Sequence, residues 1–184
     1  RLLNHLGSIH AEQLYEFSKN LEHLFHGESS GVDIAAALKA KPLMFKIPGE
    51  IVDFSPSWKP QWHLSHCGKR GVTADCVKKV KNLWKSDETL ARQIDEDMQR
   101  SFEVAQAALS SDSMDLNGLQ QAIHLGRSCF ERCGLVSEEL RDHMSVVQKN
   151  GALATKPTGS CDGGFVLSIW DKTPALADVE FLVI

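Results

Sequence analysis

The chain has 184 residues, 42% of them apolar, which is enough for one sizeable core or two small ones. Its 20 basic and 24 acidic residues leave a formal net charge of −4, which makes no electrostatic case for nucleic acid or an anionic membrane as a partner. No apolar run approaches the ~20 residues of a membrane-spanning helix, and the opening RLLNHLGSIHAEQ has no apolar signal-peptide core.

Residues 9 to 25 set Ile9, Leu14, Phe17, Leu21, Leu24 and Phe25 in an approximate helical stripe. Gly27 and the polar turn ESSG end it. VDIAAALKA begins a second helical segment from Asp33. PLMFKIPGEIVDFS reads as a hairpin, two short strands about a Pro48-Gly49 turn. SPSWKPQ is a loop, and WHLSHCG a strand running into a glycine loop. The middle is helical. Thr73 caps a helix to about Trp84, with Val77, Val80 and Trp84 on one face. Asp87 starts a second, to about Leu109, and Asp115 a third, through Leu119, Ile123 and Phe130 to Gly134. Ser137, with Glu138 and Glu139 in the first turn, opens a fourth to about Gln148. GALATKPTGSCDGGFVLSIW is strand, glycine loop, strand, and FVLSIW has the apolar, β-branched character of a buried strand. VEFLVI is a last strand. The expected class is α+β, with helices packed on one face of a mostly antiparallel sheet.

The five cysteines, Cys67, Cys76, Cys129, Cys133 and Cys161, are odd in number, scattered and without a CxxC. They read as reduced thiols of a cytoplasmic protein rather than a disulfide framework. Cys129 and Cys133 with His124 fall short of a four-ligand zinc set. Two stretches carry more chemistry. In HGESSGVD, Asp33 follows a Ser-Ser-Gly turn, and Glu22 lies one turn before the end of the preceding helix. Such a carboxylate pair suits a hydrated Mg²⁺, or a base for a hydroxyl. By spacing alone, a solvated helix residue and a helix cap explain the pair better. In KPTGSCDGG, a glycine loop between strands leaves backbone amides to face an anion. It lacks the GK[ST] of a Walker loop, and a plain hairpin loop is the simpler reading. Trp58 and Trp62 read as loop anchors rather than a nucleotide lid. His63 and His66 read as sharing one partly exposed strand face, and KKVK, Lys78 to Lys81, as a solvated helix face. Lys69 and Arg70, before Thr73, are candidates for a phosphate or carboxylate contact.

Taken together, these stretches resemble a known family. EHLFHGESSGVD resembles the mevalonate kinase segment Glu-x-x-x-His-Gly-Asn-Pro-Ser-Gly-Val/Ile-Asp, and ATKPTGSCDGGFVLSIW is similar to the third motif of GHMP kinases, Lys-Leu-Thr-Gly-Ala-Gly-Gly-Gly-Gly-Cys before an apolar strand. HLSHCGKRGVTADCV resembles their strand-loop-Thr-helix segment, and HLGRSCFERCGLVSEEL their helix ending in Leu-Gly-Val-Ser. The four lie in family order across residues 14 to 170. The resemblance implies a GHMP small-molecule kinase, closest to mevalonate kinase, that moves the γ-phosphate of ATP to a mevalonate hydroxyl with Mg²⁺. It implies Asp33 as the catalytic aspartate and Glu22 as the Mg²⁺ carboxylate. His26, Ser30 and Thr73 fall at substrate-side positions. Lys156, Thr158, Gly159, Ser160, Gly163 and Gly164 fall at the phosphate-side motif, with a structural role for Lys156 left open. It further implies that residues 1–48 end an N-terminal domain, that residues 49–184 form a ferredoxin-like C-terminal domain, and that a homodimer is a candidate assembly.

The departures from the family are specific. The Pro-x-x-x-Gly-Leu-Gly-Ser-Ser-Ala phosphate loop and the amino-terminal lysine of the family are absent. The expectation is therefore the C-terminal half of such a kinase, inactive without its N-terminal half. Glu28-Ser29 replaces Asn-Pro, and Cys161-Asp162 replaces two glycines, adding a negative charge where phosphates are expected. The alternatives are a sister kinase acting on phosphomevalonate, a sugar or homoserine, and a degenerate domain of this fold that only binds.

Overall fold

A computed structural model describes residues 11–26, 29–47, 49–159, 161–176 and 178–184. Ile9, Gly27, Glu28, Pro48 and Ser160, each singled out above, lie outside the described residues. The chain forms two compact units, Arg1–Pro56 and Ser57–Ile184.

The first unit holds helix α1 (Ala11–His26), helix α2 (Val32–Lys39) and the antiparallel hairpin β1 (Leu43–Lys46) and β2 (Glu50–Asp53). Both strands pair within this unit, across the expected 48/49 division. α1 is rich in Glu, Gln, Leu and Lys, which lose little rotamer freedom in a helix. Its expected stripe is only partly buried: Leu14 is inside, whereas Phe17, Leu21 and Leu24 are exposed, Leu24 by 79%. The stripe follows from period alone; among the described residues of this unit the other buried apolar side chains are Ile34 and Ala35. α2 begins at Val32 rather than Asp33. Gly31 stands before it in the left-handed region, φ 81, without a side-chain cap. Ala40 closes it in the same region, its amide donating to Ala36 O at 2.9 Å. Lys39 and Lys41 both pair with Asp53, at 3.2 and 2.6 Å, tying the end of α2 to β2.

The second unit is built on a four-stranded sheet of order β4-β5-β3-β6, antiparallel throughout: β3 (Gln61–His66), β4 (Ala154–Thr158), β5 (Phe165–Trp170) and β6 (Phe181–Val183). Between β3 and β4 run α3 (Thr73–Ser86), α4 (Glu88–Ser110), α5 (Leu116–Arg132) and α6 (Glu138–Lys149). Three of the expected starts are real caps. The side chains of Asp87, Asp115 and Ser137 accept from the amides of Leu90, Gly118 and Leu140. Thr73 is not a cap: it is the first residue of α3, and Val72 holds the cap position without a side-chain bond. The inward face of α3 is Cys76 and Val80, one turn apart, packed with Leu135 and Cys161, while Val77 and Trp84 are exposed.

Helices cover both faces of this sheet, not one. Strand side chains alternate, so Ile169 and Val166 point to opposite sides. Ile169 and Ala154 pack with Ala108, Leu119 and Ile123 of α4 and α5. Val166 packs with Leu140 and Met144 of α6, and Trp170 with Val147. FVLSIW is buried as expected, apart from the exposed Phe165 at its start and the half-buried Leu167. His63 and His66 are three residues apart and so lie on opposite faces. His63 is buried edge-on to Trp170 and Phe181, and His66 is edge-on to Phe165. Trp58 anchors its loop, donating from Nε1 to Ala108 O at 2.9 Å. No helix among the described residues is long and apolar enough to cross a membrane.

Candidate functional site

The acid-bearing turn is built from the end of α1 and the start of α2. Ser29 closes it: its hydroxyl donates to Glu22 Oε2, and its amide donates to His23 Nδ1 at 3.2 Å. The Gly31 amide donates back to Ser29 Oγ at 3.1 Å, and the Val32 amide to Ser30 Oγ at 3.3 Å. These are Ser turns that satisfy the amides between two helices. Gly31 turns the chain left-handed, so that α2 leaves at once, and the Ala35 amide closes its first turn on Gly31 O at 3.0 Å. Asp33 then falls in the first turn of α2, exposed, where the helix dipole favours a carboxylate. Glu22 is half-buried and held by Ser29. Glu28-Ser29, the departure from Asn-Pro, thus supplies a hydroxyl that fixes Glu22. His26 ends α1, but its side chain lies outside the described residues. Ser30 is exposed.

The glycine loop of the second unit is equally well defined. Cys161, Asp162, Gly163 and Gly164 all have positive φ, at 71, 57, 146 and 86. The loop is clamped to residues 67–71: the Gly164 amide donates to Lys69 O at 2.7 Å, and the Cys67 amide to Gly164 O at 3.0 Å. The Asp162 amide donates to Leu135 O at 2.9 Å. Two amides expected to face an anion are therefore bonded internally. Gly163 lies so close to Lys69, Arg70 and Gly71 that a Cβ would meet Lys69 O and Gly71 N at 2.7 Å each. Thr158 is half-buried at the end of β4, and Gly159 is exposed beyond it. Ser160 is not described.

The extra charge in this loop is neutralised. Asp162 accepts from Lys79 Nζ at 2.9 Å, and Lys79 also reaches Gly134 O at 3.3 Å. Lys79 belongs to the KKVK run, which by sequence is a solvated face. Nothing in the run itself distinguishes it from Lys78, because the pairing spans most of the unit. Lys69, a candidate anion contact, pairs with Glu139 at 3.1 Å. The Glu139 backbone amide, then the Ser137 side chain and then Lys69, hold the Glu139 carboxyl down at about 2. Lys156 points away from the loop's outer surface. Its Nζ donates to Pro157 O at 3.3 Å, lies 5.2 Å from the centre of the Phe130 ring, and burial pushes its pKa down. Burial raises the Cys161 thiol to about 12, so it is protonated and unreactive at neutral pH.

Among the described residues, no group of three His, Cys, Asp or Glu side chains is placed to hold a metal. Cys129 is buried in the core with its thiol pKa raised, and forms no zinc site with Cys133 and His124. The donor set does fit Mg²⁺, which needs one or two carboxylates and takes its remaining ligands from water and phosphate. Glu22, fixed by Ser29, and the exposed Asp33 are the carboxylates available in this turn.

No protein-family model matches the chain, and no curated protein matches it. Solved structures do. The mevalonate kinase of L. major, in a complex with R-mevalonate, superposes with a TM-score of 0.77 at 19% identity, covering 90% of this chain and 51% of that one. The Methanococcus jannaschii mevalonate kinase gives 0.66 at 14% identity, covering 95% and 56%. That of Staphylococcus aureus MRSA252 gives 0.53 at 20%, covering 91% and 52%. The chain spans about half the length of these structures and shares their α+β fold.

Proposed function

We propose that this chain, folded like about half of a mevalonate kinase, belongs to a GHMP small-molecule kinase and carries its acid-bearing turn and third glycine motif. In this reading residues 1–48 end an N-terminal domain, and residues 49–184 form the C-terminal one. The rest of the kinase fold, with a GLGSS-like phosphate loop, completes the site. Mevalonate is the favoured acceptor, because the HG-x-x-SG-x-D pattern matches that branch of the superfamily.

The observation that carries the reading is the turn itself. It holds Glu22 at the end of one helix and Asp33 in the first turn of the next, with Ser29 bonded to Glu22 between them. Phosphoryl transfer asks a protein for positioning and charge neutralisation more than for covalent chemistry. Asp33 accepts the proton of, or polarises, the attacking hydroxyl, and its exposure leaves room for one. Glu22 holds Mg²⁺, which when bound neutralises phosphate charge in the transition state. Ser30 and His26 border the acceptor, and Thr73, at the start of α3, faces it. Thr158, Gly159 and Ser160 line the phosphate side. Gly163 and Gly164 shape that loop from within, and Lys156 supports it from the core.

The test is ATP-dependent phosphorylation of mevalonate. The 184-residue chain alone gives no turnover, and turnover by it overturns the need for a second half. In the polypeptide that also carries the phosphate loop, Asp33→Asn removes most of kcat and leaves ATP binding nearly intact. Near-normal turnover takes Asp33 out of the catalytic role. A second reading, a domain of this fold that binds without catalysis, is favoured by the internal bonding of the Asp162 and Gly164 amides. It predicts nucleotide or mevalonate binding with no phosphate transfer in the complete protein.

A further inference from the structure

Tyr15 stands on α1, outside the matched motifs and the roles proposed above. Its hydroxyl is buried and has no hydrogen-bond partner among the described residues. It lies where two glycine turns meet. A Cβ on Gly31 would overlap the hydroxyl, standing 3.1 Å from Tyr15 Cζ and 3.4 Å from Lys19 Cδ, and a Cβ on Gly49 would come within 3.7 Å of the same hydroxyl. Tyr15, Lys19 and Glu22 fall at i, i+4 and i+7 on α1, so they share one helix face. That face meets the acid-bearing turn at two points. Glu22 takes the Ser29 hydroxyl, and two helical turns earlier the phenol edge of Tyr15 bears on Gly31.

We infer that Tyr15 is a positioning residue of the acid-bearing turn: its ring is the second pin that fixes where Asp33 stands relative to Glu22. This rests on the kinase reading for its consequence, though not for its geometry. The Ser29 bonds both fall at one end of α1, on the neighbouring residues Glu22 and His23, and by themselves leave the turn free to pivot there. The ring stops that pivot, and it also requires glycine at position 31, where φ is 81 and there is no space for a methyl. The ring acts by shape. Its hydroxyl finds no hydrogen-bond partner among the described residues, so phenylalanine serves as well.

The experiment uses the complete polypeptide with ATP and mevalonate, comparing Tyr15→Phe, Tyr15→Leu and Gly31→Ala with the wild type. Tyr15→Leu is expected to lower kcat at least tenfold with the ATP KM within twofold, and Tyr15→Phe to restore kcat. In parallel, urea midpoints are measured for Tyr15→Leu, Gly31→Ala and their double variant. The shift caused by Gly31→Ala is expected to be smaller when Tyr15→Leu is already present, because the overlap is relieved. An active wild type with unchanged kcat in folded Tyr15→Leu overturns the inference, as does a Tyr15→Phe loss equal to that of Tyr15→Leu, which would make the hydroxyl the working group. Additive midpoint shifts remove the contact. A wild type that phosphorylates nothing overturns the kinase reading instead, and the midpoints still decide the contact.

Discussion

Replacing Gly163 by alanine isolates the clamp between residues 67–71 and the glycine loop. The new Cβ would stand 2.7 Å from Lys69 O, 2.7 Å from Gly71 N and 2.9 Å from Arg70 C, all backbone atoms that cannot swing aside. Ordinary contact begins near 3.4 Å, so the two segments must part by about 0.7 Å. The same displacement carries the Gly164 amide from 2.7 Å to about 3.4 Å from Lys69 O, past useful hydrogen bonding. A lost internal bond of this kind costs ~1 kcal/mol. Overpacking adds roughly 1–3 kcal/mol. The backbone at φ 146 is one that L residues rarely adopt, for roughly another 1–2 kcal/mol. The sum is about 3–6 kcal/mol, a large share of the ~5–15 kcal/mol that holds a domain. Gly164→Ala is the control. Its φ is 86, but a Cβ there meets nothing within 4 Å, so only the conformational cost of about 1–2 kcal/mol applies. Urea unfolding followed by far-ultraviolet circular dichroism measures both. The clamp is refuted if Gly163→Ala is no more destabilising than Gly164→Ala.

Three further outcomes are expected. Lys79→Met uncovers the Asp162 charge and weakens ATP binding by roughly fivefold, about 1 kcal/mol of unscreened repulsion, and adding Asp162→Asn restores it; calorimetric titration of the complete protein reads both. Glu139 has a folded pKa of about 2, below its ordinary 4.5, so its stabilising effect is complete above about pH 4.5 and fades as pH falls toward 2; Glu139→Gln flattens the acid limb of the stability curve in that window and leaves its shape unchanged at neutral pH. Leu14→Ala destabilises the first unit by roughly 2–4 kcal/mol, whereas Leu24→Ser changes it by less than about 0.5 kcal/mol, measured by thermal unfolding, because one side chain is buried and the other is 79% exposed.

What is legible in the sequence is local. Asp87, Asp115 and Ser137 announce helix starts because a short polar side chain before an apolar run is itself the capping group. The hairpin and the strands flanking KPTGSCDGG follow from turn residues set between β-branched runs. What the sequence hides depends on contacts made across the chain. The exposure of Phe17, Leu21 and Leu24 depends on what lies opposite α1, and periodicity is silent on that. Lys79 is one lysine of three in a run until the fold brings Asp162 to it, 83 residues on. The amides of KPTGSCDGG read as available because their acceptors, Lys69 O and Leu135 O, are far away in sequence. The turn around Glu22 and Asp33 lies between these extremes. Its acids are visible, and the Ser29 bond that fixes one of them arises where the family pattern is broken.

The single tyrosine of the chain is Tyr15, in the first unit, and its four tryptophans, Trp58, Trp62, Trp84 and Trp170, are all in the second. This division makes the two units optically separable without any label. Emission excited at the red edge of the absorption band, where only indole absorbs, reports the second unit alone, Trp170, buried beside His63, included. Phenol absorbance near Gly31 reports the first. A ligand that orders the acid-bearing turn and leaves the sheet untouched would change the tyrosine signal and be silent in the tryptophans.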